Sequence, residues 1–354
     1  MFGFFIKKFA ANTFKRPHHN NGISRARRLT PVKPRISIFQ RNFATYKGFN
    51  NTNQGYDIKK WLTNRNVIYV GLGIGGFYLY NLDEAPFTHR LRFLWVPSWM
   101  ERMVGDHGYK QLLYQFRGQL LPSSDPLYLK ISSIMNKLLT SALANLPEDR
   151  REHISKLKWS IHIIQVDPTK VPPNAFILPN GKIFIFSSIL PVCRDADGLA
   201  TVLSHELSHQ LAQHTLEQLS MQPFYIALLA ILYSITGTSS LNQMVLAGLL
   251  TRPASREMET EADRIGCELM AMLCFNVHRA IDFWTIMSNV EKQSGSFLSD
   301  SAFVDFFSTH PNTSKRMRNI ETWMPELDQI SERSDCHAYK LGIFEQTQRN
   351  FFDH

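Results

Sequence analysis

Cysteine is scarce in this chain: four residues in 354, Cys193, Cys267, Cys274 and Cys336, with no C-x-x-C pair. That excludes a disulfide scaffold and leaves no cysteine-based metal site. Cys267 and Cys274 stand seven apart on helical sequence, about 10 Å at ~1.5 Å per residue, too far to bridge each other. Cys336 has the freedom to pair with either, but buried free thiols are the expected state.

Acid is missing altogether from residues 1–43, which hold ten of the 39 Lys and Arg. The formal net charge of +9 is therefore local, and the rest of the chain carries 29 bases against 30 acids. A neutral body argues against a nucleic-acid partner. The start, Met1-Phe2-Gly3-Phe4-Phe5-Ile6-Lys7-Lys8-Phe9, has too many large apolar residues for a nucleic-acid arm. Arg-rich, acid-free and amphipathic, residues 1–43 read as a mitochondrial presequence, and Arg41-Asn42-Phe43 resembles a matrix processing site.

Long apolar runs are also lacking. Residues 66–82 come nearest, with Val67 to Tyr80 free of charge. Gly71, Gly73 and Gly76 satisfy G-x-G-x-x-G, but a dinucleotide site needs a βαβ unit and an acid about twenty residues on, whereas Asn81-Leu82-Asp83-Glu84-Ala85-Pro86 cuts the segment short. A short transmembrane helix over 66–82, about 25 Å long with Trp61, Tyr78 and Tyr80 as interfacial anchors, is the better reading. Gly71 and Gly75 form a small-xxx-small face that permits close packing of helices, so a homo-oligomer is allowed for. Lys47, Lys59, Lys60 and Arg65 flank one side and Asp83-Glu84 the other. This asymmetry places the connector 44–65 in the matrix and everything after the span in the intermembrane space. Thr88-His89-Arg90-Leu91-Arg92-Phe93 then reads as a basic-aromatic piece at the membrane surface. A second uncharged stretch, 224–250, is split by Gly237-Thr238-Ser239-Ser240 into pieces too short to span, and a buried helical hairpin is expected there, with a membrane-dipping segment as the alternative.

What the chain does have is Ser204-His205-Glu206-Leu207-Ser208-His209, an H-E-x-x-H motif in a helical run from about Asp197 to Leu219. One helical turn separates His205 from His209, so both imidazoles project from one face and can share a metal ion. Glu206 lies between them, suited to take a proton from a metal-bound water. Leu199, Leu203, Leu207 and Leu211 form an apolar stripe on another face, able to bury the helix while the histidines face a cleft.

A two-histidine site needs a third protein ligand, and Ser255-Arg256-Glu257-Met258-Glu259-Thr260-Glu261-Ala262-Asp263 offers several. Glu259 and Asp263 share a face, so one can bind metal while the other holds a ligand histidine by its free ring N–H. On spacing alone Glu257 and Glu261 are rivals.

With these motifs in view, the chain resembles the gluzincin metallopeptidases that include the CAAX prenyl protease and the HtpX heat-shock protease. H-E-L-S-H followed by S-R-x-x-E-x-E-A-D carries the resemblance. Asn174-Ala175-Phe176 with Leu178-Pro179-Asn180-Gly181-Lys182-Ile183 before it, and Thr309-His310-Pro311 with Arg316 after it, extend it over about 140 residues. The single N-terminal span and presequence make it most similar to the OMA-type, mitochondrial inner-membrane group. The resemblance implies zinc held by His205, His209 and Glu259, with Asp263 and Arg316 in support. It also implies Glu206 as general base and His310, with Arg316 as a second candidate, as oxyanion stabiliser. It further implies membrane-protein substrates, dynamin-like GTPases among them, in stress-activated quality control. The rival class is a catalytically silent membrane-bound scaffold, which need not keep Glu206.

The expected fold is α+β and mainly helical: a metallopeptidase domain over 83–354 with a small β-sheet, preceded by one transmembrane helix. Helical patterns near 100–120 and 126–146, a strand over 159–166 and a hairpin around Pro179-Asn180-Gly181 supply its elements. The strand of the hairpin is expected to border the cleft and to be open to an extended substrate.

Overall fold

The structure is a computed structural model that describes residues 63–239, 242–243, 252–294, 310 and 313–334. The expected presequence, nearly all of the connector, most of 240–250 and Cys336 lie outside the described residues. Two units make up the chain, Met1–Phe77 and Tyr78–His354.

In the first unit the described element is helix α1, Arg65–Tyr80, whose last turn runs into the second. It has no buried residue, and Val70, Leu72 and Ile74 are exposed along it. Its four glycines lie inside the helix, not at a strand-to-helix turn. No phosphate-cradling loop exists there, and the dinucleotide reading falls.

The second unit opens with a hairpin of β1 (Leu82–Glu84) and β2 (Leu91–Phe93), Asp83 opposite Arg92. Helices α2 (Ser98–Gln115), α3 (Pro126–Asn145) and α4 (Glu148–Ser155) follow. α3 starts where its sequence says it should: Pro126 occupies the first turn, and the Asp125 carboxylate accepts the Leu127 N–H at 2.8 Å. Its apolar stripe, Ile131, Ile134, Met135, Leu138 and Ala142, enters the core.

A three-stranded sheet comes next, β3 (Ser160–Ile164), β4 (Ala175–Ile177) and β5 (Lys182–Phe186), in the order β3-β5-β4. β3 runs parallel to β5, and β4 antiparallel. The β4–β5 turn is the Pro179-Asn180-Gly181 sequence: Gly181 takes φ +80°, which a side chain would resist, and its N–H donates to Leu178 C=O at 2.9 Å. As the central strand β5 buries Ile183 to Phe186, while β4 keeps one edge unpaired among the described residues.

A short 3₁₀ turn (Ser187–Ile189) and α5 (Leu190–Cys193) lead into α6, Ala196–Leu211. Asp195 caps α6 by accepting the Gly198 N–H at 2.9 Å. Leu199, Leu203, Leu207 and Leu211 are all buried, as their spacing requires. α7 (His214–Thr236), α8 (Arg252–Met272), α9 (His278–Ser294) and α10 (Thr313–Arg333) complete the unit. α6 lies at the centre, packed by α8, α3, α9 and β4.

Four expectations need correction. The helical run from Asp197 to Leu219 is two helices, broken where Gln213 adopts φ +52°. Its side-chain oxygen accepts from Arg92 at 3.3 Å and Arg150 at 2.6 Å, which holds this left-handed backbone without a glycine. The stretch from 224 is not a buried hairpin as far as it is described: Phe224, Ile226, Ile231, Tyr233 and Ile235 are exposed. The helix starts ten residues earlier, at His214, giving 23 residues with an 18-residue window of mean hydropathy 1.5, and among the described residues it alone is long and apolar enough to cross a membrane. The basic-aromatic piece does not simply face a surface. Arg92 is buried against Asp83, and Arg90 pairs with Glu217 and Glu261. Finally, Cys193 and Cys267 are free and buried, but Cys274 is disulfide-bonded.

Candidate metal centre

α6 presents His205 and His209 toward α8, which answers with Glu259, and His310 comes in from the stretch before α10. The nitrogen and oxygen atoms these four residues offer lie within 4.8 Å of one another. Nε2 of His209 stands 3.1 Å from Nε2 of His205. The Glu259 carboxylate reaches His205 Nε2 at 3.4 Å and His209 Nε2 at 3.5 Å.

The outward ring nitrogens decide what the inward ones can do. His205 Nδ1 lies 3.1 Å from Asp263 Oδ1, and His209 Nδ1 lies 2.8 Å from His214 Nδ1. A neutral imidazole carries one proton; spent on these outer partners, it leaves both Nε2 lone pairs aimed inward, facing two carboxylate oxygens. Both Nε2 atoms and both Glu259 oxygens thus converge as the donors of a cation site do, with Arg316 at their side.

The charge count agrees. Glu206, Glu259 and Asp263 are buried with Arg316 as the guanidinium beside them, leaving two negative charges that a divalent ion would balance. Two imidazoles and a carboxylate form a donor set suited to zinc. The residues therefore fit the metal that the motif implies.

Arg316 is fixed from several sides. Its Nε and Nη2 each donate to Asp263 at 2.6 Å, Nη1 stands 3.1 Å from Glu259 Oε2, and the guanidinium lies 3.4 Å above the Trp284 ring. Trp284 also meets the His205 ring edge-on at 5.4 Å. Burial alone would raise the Glu259 pKa, but the neighbouring His310, His209 and Arg316 outweigh it and hold the carboxylate well below its usual range. Glu206 moves the other way: burial raises it, against the pull of His310 and His205. Its Oε1 lacks a hydrogen bond and lies 3.4 Å from His310 Nε2. His310 Nδ1 is 2.9 Å from Glu259 Oε2, so this ring spans from the carboxylate of α8 to that of α6.

All seven residues expected from the sequence, His205, Glu206, His209, Glu259, Asp263, His310 and Arg316, thus meet in one cluster, buried except for the partly exposed His209. The rivals part from Glu259 in different ways: Glu257 is exposed, while Glu261 is buried but bound to Arg90, Thr88 and His214. His214 was missed by sequence reasoning. On one continuous helix a residue five past His209 points about 140° away from it. The break at Gln213 turns it back. The signal that was there is the third histidine of His205-x₃-His209-x₄-His214.

These residues fall inside a match to the model of peptidase family M48, which covers residues 131–324. The mitochondrial metalloendopeptidase OMA1 of Saccharomyces cerevisiae is 41% identical over 320 residues, 88% of this chain and 91% of that protein. Its counterpart in Schizosaccharomyces pombe is 35% identical over 306 residues, 85% and 82% of the two chains. The human metalloendopeptidase OMA1 is 27% identical over 288 residues, 78% of this chain and 52% of that one. A family model that spans more than half the sequence, and two yeast relatives 41% and 35% identical over most of both chains, lead to one conclusion: the chain belongs to peptidase family M48 and is a metalloendopeptidase.

Proposed function

We propose that this metalloendopeptidase is a zinc enzyme anchored in the mitochondrial inner membrane, its catalytic unit in the intermembrane space. Its substrates are membrane proteins handled in quality control and stress, dynamin-like GTPases among them by family resemblance. The observation that carries the catalytic part is the convergence of His205 Nε2, His209 Nε2 and the Glu259 carboxylate beside Glu206, whose Oε1 has no hydrogen bond.

Bound there by His205, His209 and Glu259, zinc would lower the pKa of a water toward neutrality and polarise the scissile carbonyl. Glu206 takes a proton from the attacking water through Oε1 and returns it to the leaving amine nitrogen. Its raised pKa suits both halves of that exchange. His310 is placed to donate to the developing oxyanion. Arg316 is committed to Asp263 and the Trp284 face, which makes it a support for His205 in preference to an oxyanion ligand. β4, an edge strand of the sheet, packs on α6, and an extended substrate can pair its backbone with the unpaired edge of this strand.

For the anchor, α1 is 16 residues long with none of them buried, about 24 Å of helix at ~1.5 Å per residue. The exposed outer half of α7 supplies a second apolar surface suited to lipid. The Arg90–Glu217 and Arg92–Asp83 pairs keep the polar groups at their bases satisfied. Metal analysis of the detergent-solubilised protein, with a peptidase assay on the same sample, tests this reading. One zinc per chain, with cleavage that stops on chelation and returns with zinc, supports it; cleavage that survives complete metal removal overturns it.

A further inference from the structure

The metal helix is braced on one side by a pair the sequence announced, Asp263 and Arg316 behind His205. Behind His209 stands a second arrangement. His214, the first residue of α7, is 2% exposed, and its Nδ1 meets His209 Nδ1 at 2.8 Å. Its other nitrogen, Nε2, lies 3.1 Å from Glu261 Oε2. Glu261 is 4% exposed and accepts from Arg90 Nε at 3.0 Å, from Arg90 Nη2 at 2.8 Å and from the Thr88 hydroxyl. Arg90 in turn donates to both oxygens of Glu217, one turn along α7 from His214, at 2.8 and 2.6 Å.

The proton directions follow from the ends. Glu261 accepts from the Arg90 guanidinium twice through Oε2 and from the Thr88 hydroxyl through Oε1, so both its oxygens are acceptors. His214 therefore donates to it from Nε2, which leaves His214 Nδ1 as an acceptor. That acceptor takes the proton of His209 Nδ1, and His209 Nε2 is left bare toward Glu259. We propose that His214 and Glu261 are positioning residues for the metal: a relay from His209 through His214 to Glu261, clamped by Arg90, fixes the His209 ring with its Nε2 lone pair turned inward. The inference rests on the ligand reading above. It gives Glu261, a rival ligand on spacing alone, a role behind the ligand instead of on the metal.

Outer partners of ligand histidines are worth about 10–100-fold in metal affinity. The test is zinc affinity by chelator competition on the full-length, detergent-solubilised protein. His214→Phe keeps the volume and deletes both hydrogen bonds; it should weaken zinc binding by about 10–100-fold. His214→Gln, able to accept from His209 and donate to Glu261, should recover most of that loss, which a purely packing role would not produce. Glu261→Gln should weaken binding by about tenfold, and the double variant with His214→Phe should be no worse than His214→Phe alone, because the two act in series. Were His214→Phe not to fold, the Glu261→Gln and His214→Gln variants carry the same comparison. Affinities within twofold of the parent for both His214→Phe and Glu261→Gln, or losses that simply multiply in the double variant, overturn the proposal. Glu259→Gln serves as the control. If it loses zinc while the relay variants do not, the relay alone fails; if it keeps zinc, the ligand reading fails and takes the relay with it.

Discussion

Gly266 of α8 sits directly against His205 of α6: a Cβ added at Gly266 would stand 3.2 Å from the His205 backbone nitrogen and 3.1 Å from Ser204 Oγ. The two helices that supply the metal cluster meet this closely because position 266 has no side chain. Gly266→Ala should therefore push α8 from α6, at an overpacking cost of about 1–3 kcal/mol. Thermal unfolding should show a lower midpoint and zinc binding should weaken with it, and Gly266→Val should be worse on both. A fully stable, fully metallated Gly266→Val would mean the helices do not need this contact.

Asp263→Asn should weaken zinc binding by about 10–100-fold without abolishing it, since the ligands stay but His205 loses its ionic partner. Arg316→Leu is the harsher change. It leaves Glu259 and Asp263 buried without their cation, a defect of about 3–5 kcal/mol, and should show as poor folding in the metal-free protein and partial rescue by zinc. Glu257→Gln, on the exposed side of α8, should match the parent in metal content and melting temperature.

A pH dependence of stability is built into α2. Glu101 of α2 is 1% exposed, neither of its oxygens has a well-formed hydrogen bond, and His153 Nε2 is 3.9 Å away. Burial drives its carboxyl up to about 8 from the usual 4.5, against the pull of Arg102, Arg92 and Gln210. Between those two values the folded state keeps a proton that the unfolded chain has lost, so this group's contribution is complete at the acid end and fades as pH rises. Glu101→Gln removes the dependence. Its melting temperature should exceed that of the parent at about pH 8 and approach it near pH 5, as read by thermal scans across the range. A parent and variant that differ equally at every pH would contradict the assignment.

The membrane reading predicts that the mature protein stays in the pellet on carbonate extraction. Deleting 66–82 should release part of it, because α7 still offers exposed Ile226 and Ile231 to lipid. Adding Ile226→Asp and Ile231→Asp should release the rest. A deletion without any effect on extraction would remove the span from 66–82.

Much of the site was legible because its chemistry is local. His205, Glu206 and His209 sit on one turn of one helix, and the leucine stripe of α6 announces its buried side. The Pro179-Asn180-Gly181 turn carries its own conformational signal, and the Asp125-Pro126 start of α3 does the same. What escaped depends on partners distant in sequence. Gln213 breaks the helix with a left-handed backbone because Arg92 and Arg150 reach it, and no rule on neighbouring residues foresees that. Arg90 looked like a surface base until Glu217 and Glu261 were placed beside it. The choice among Glu257, Glu259 and Glu261 was open on spacing; in space Glu259 stands beside His205 and His209, Glu261 is held by Arg90 and His214, and Glu257 is exposed. α7 was misjudged for a simpler reason: its polar first turns, His214 to Gln222, hid the true length of an apolar helix.

The most direct test of the account is Glu206→Gln, assayed for zinc content and for peptide cleavage on one preparation. The three proposed ligands, His205, His209 and Glu259, are untouched by this change, and the amide is nearly the same size as the carboxylate. The account predicts a protein that holds zinc at the parental stoichiometry and cleaves nothing, because the group that moves the proton is gone. Measurable turnover by that zinc-loaded variant would contradict it.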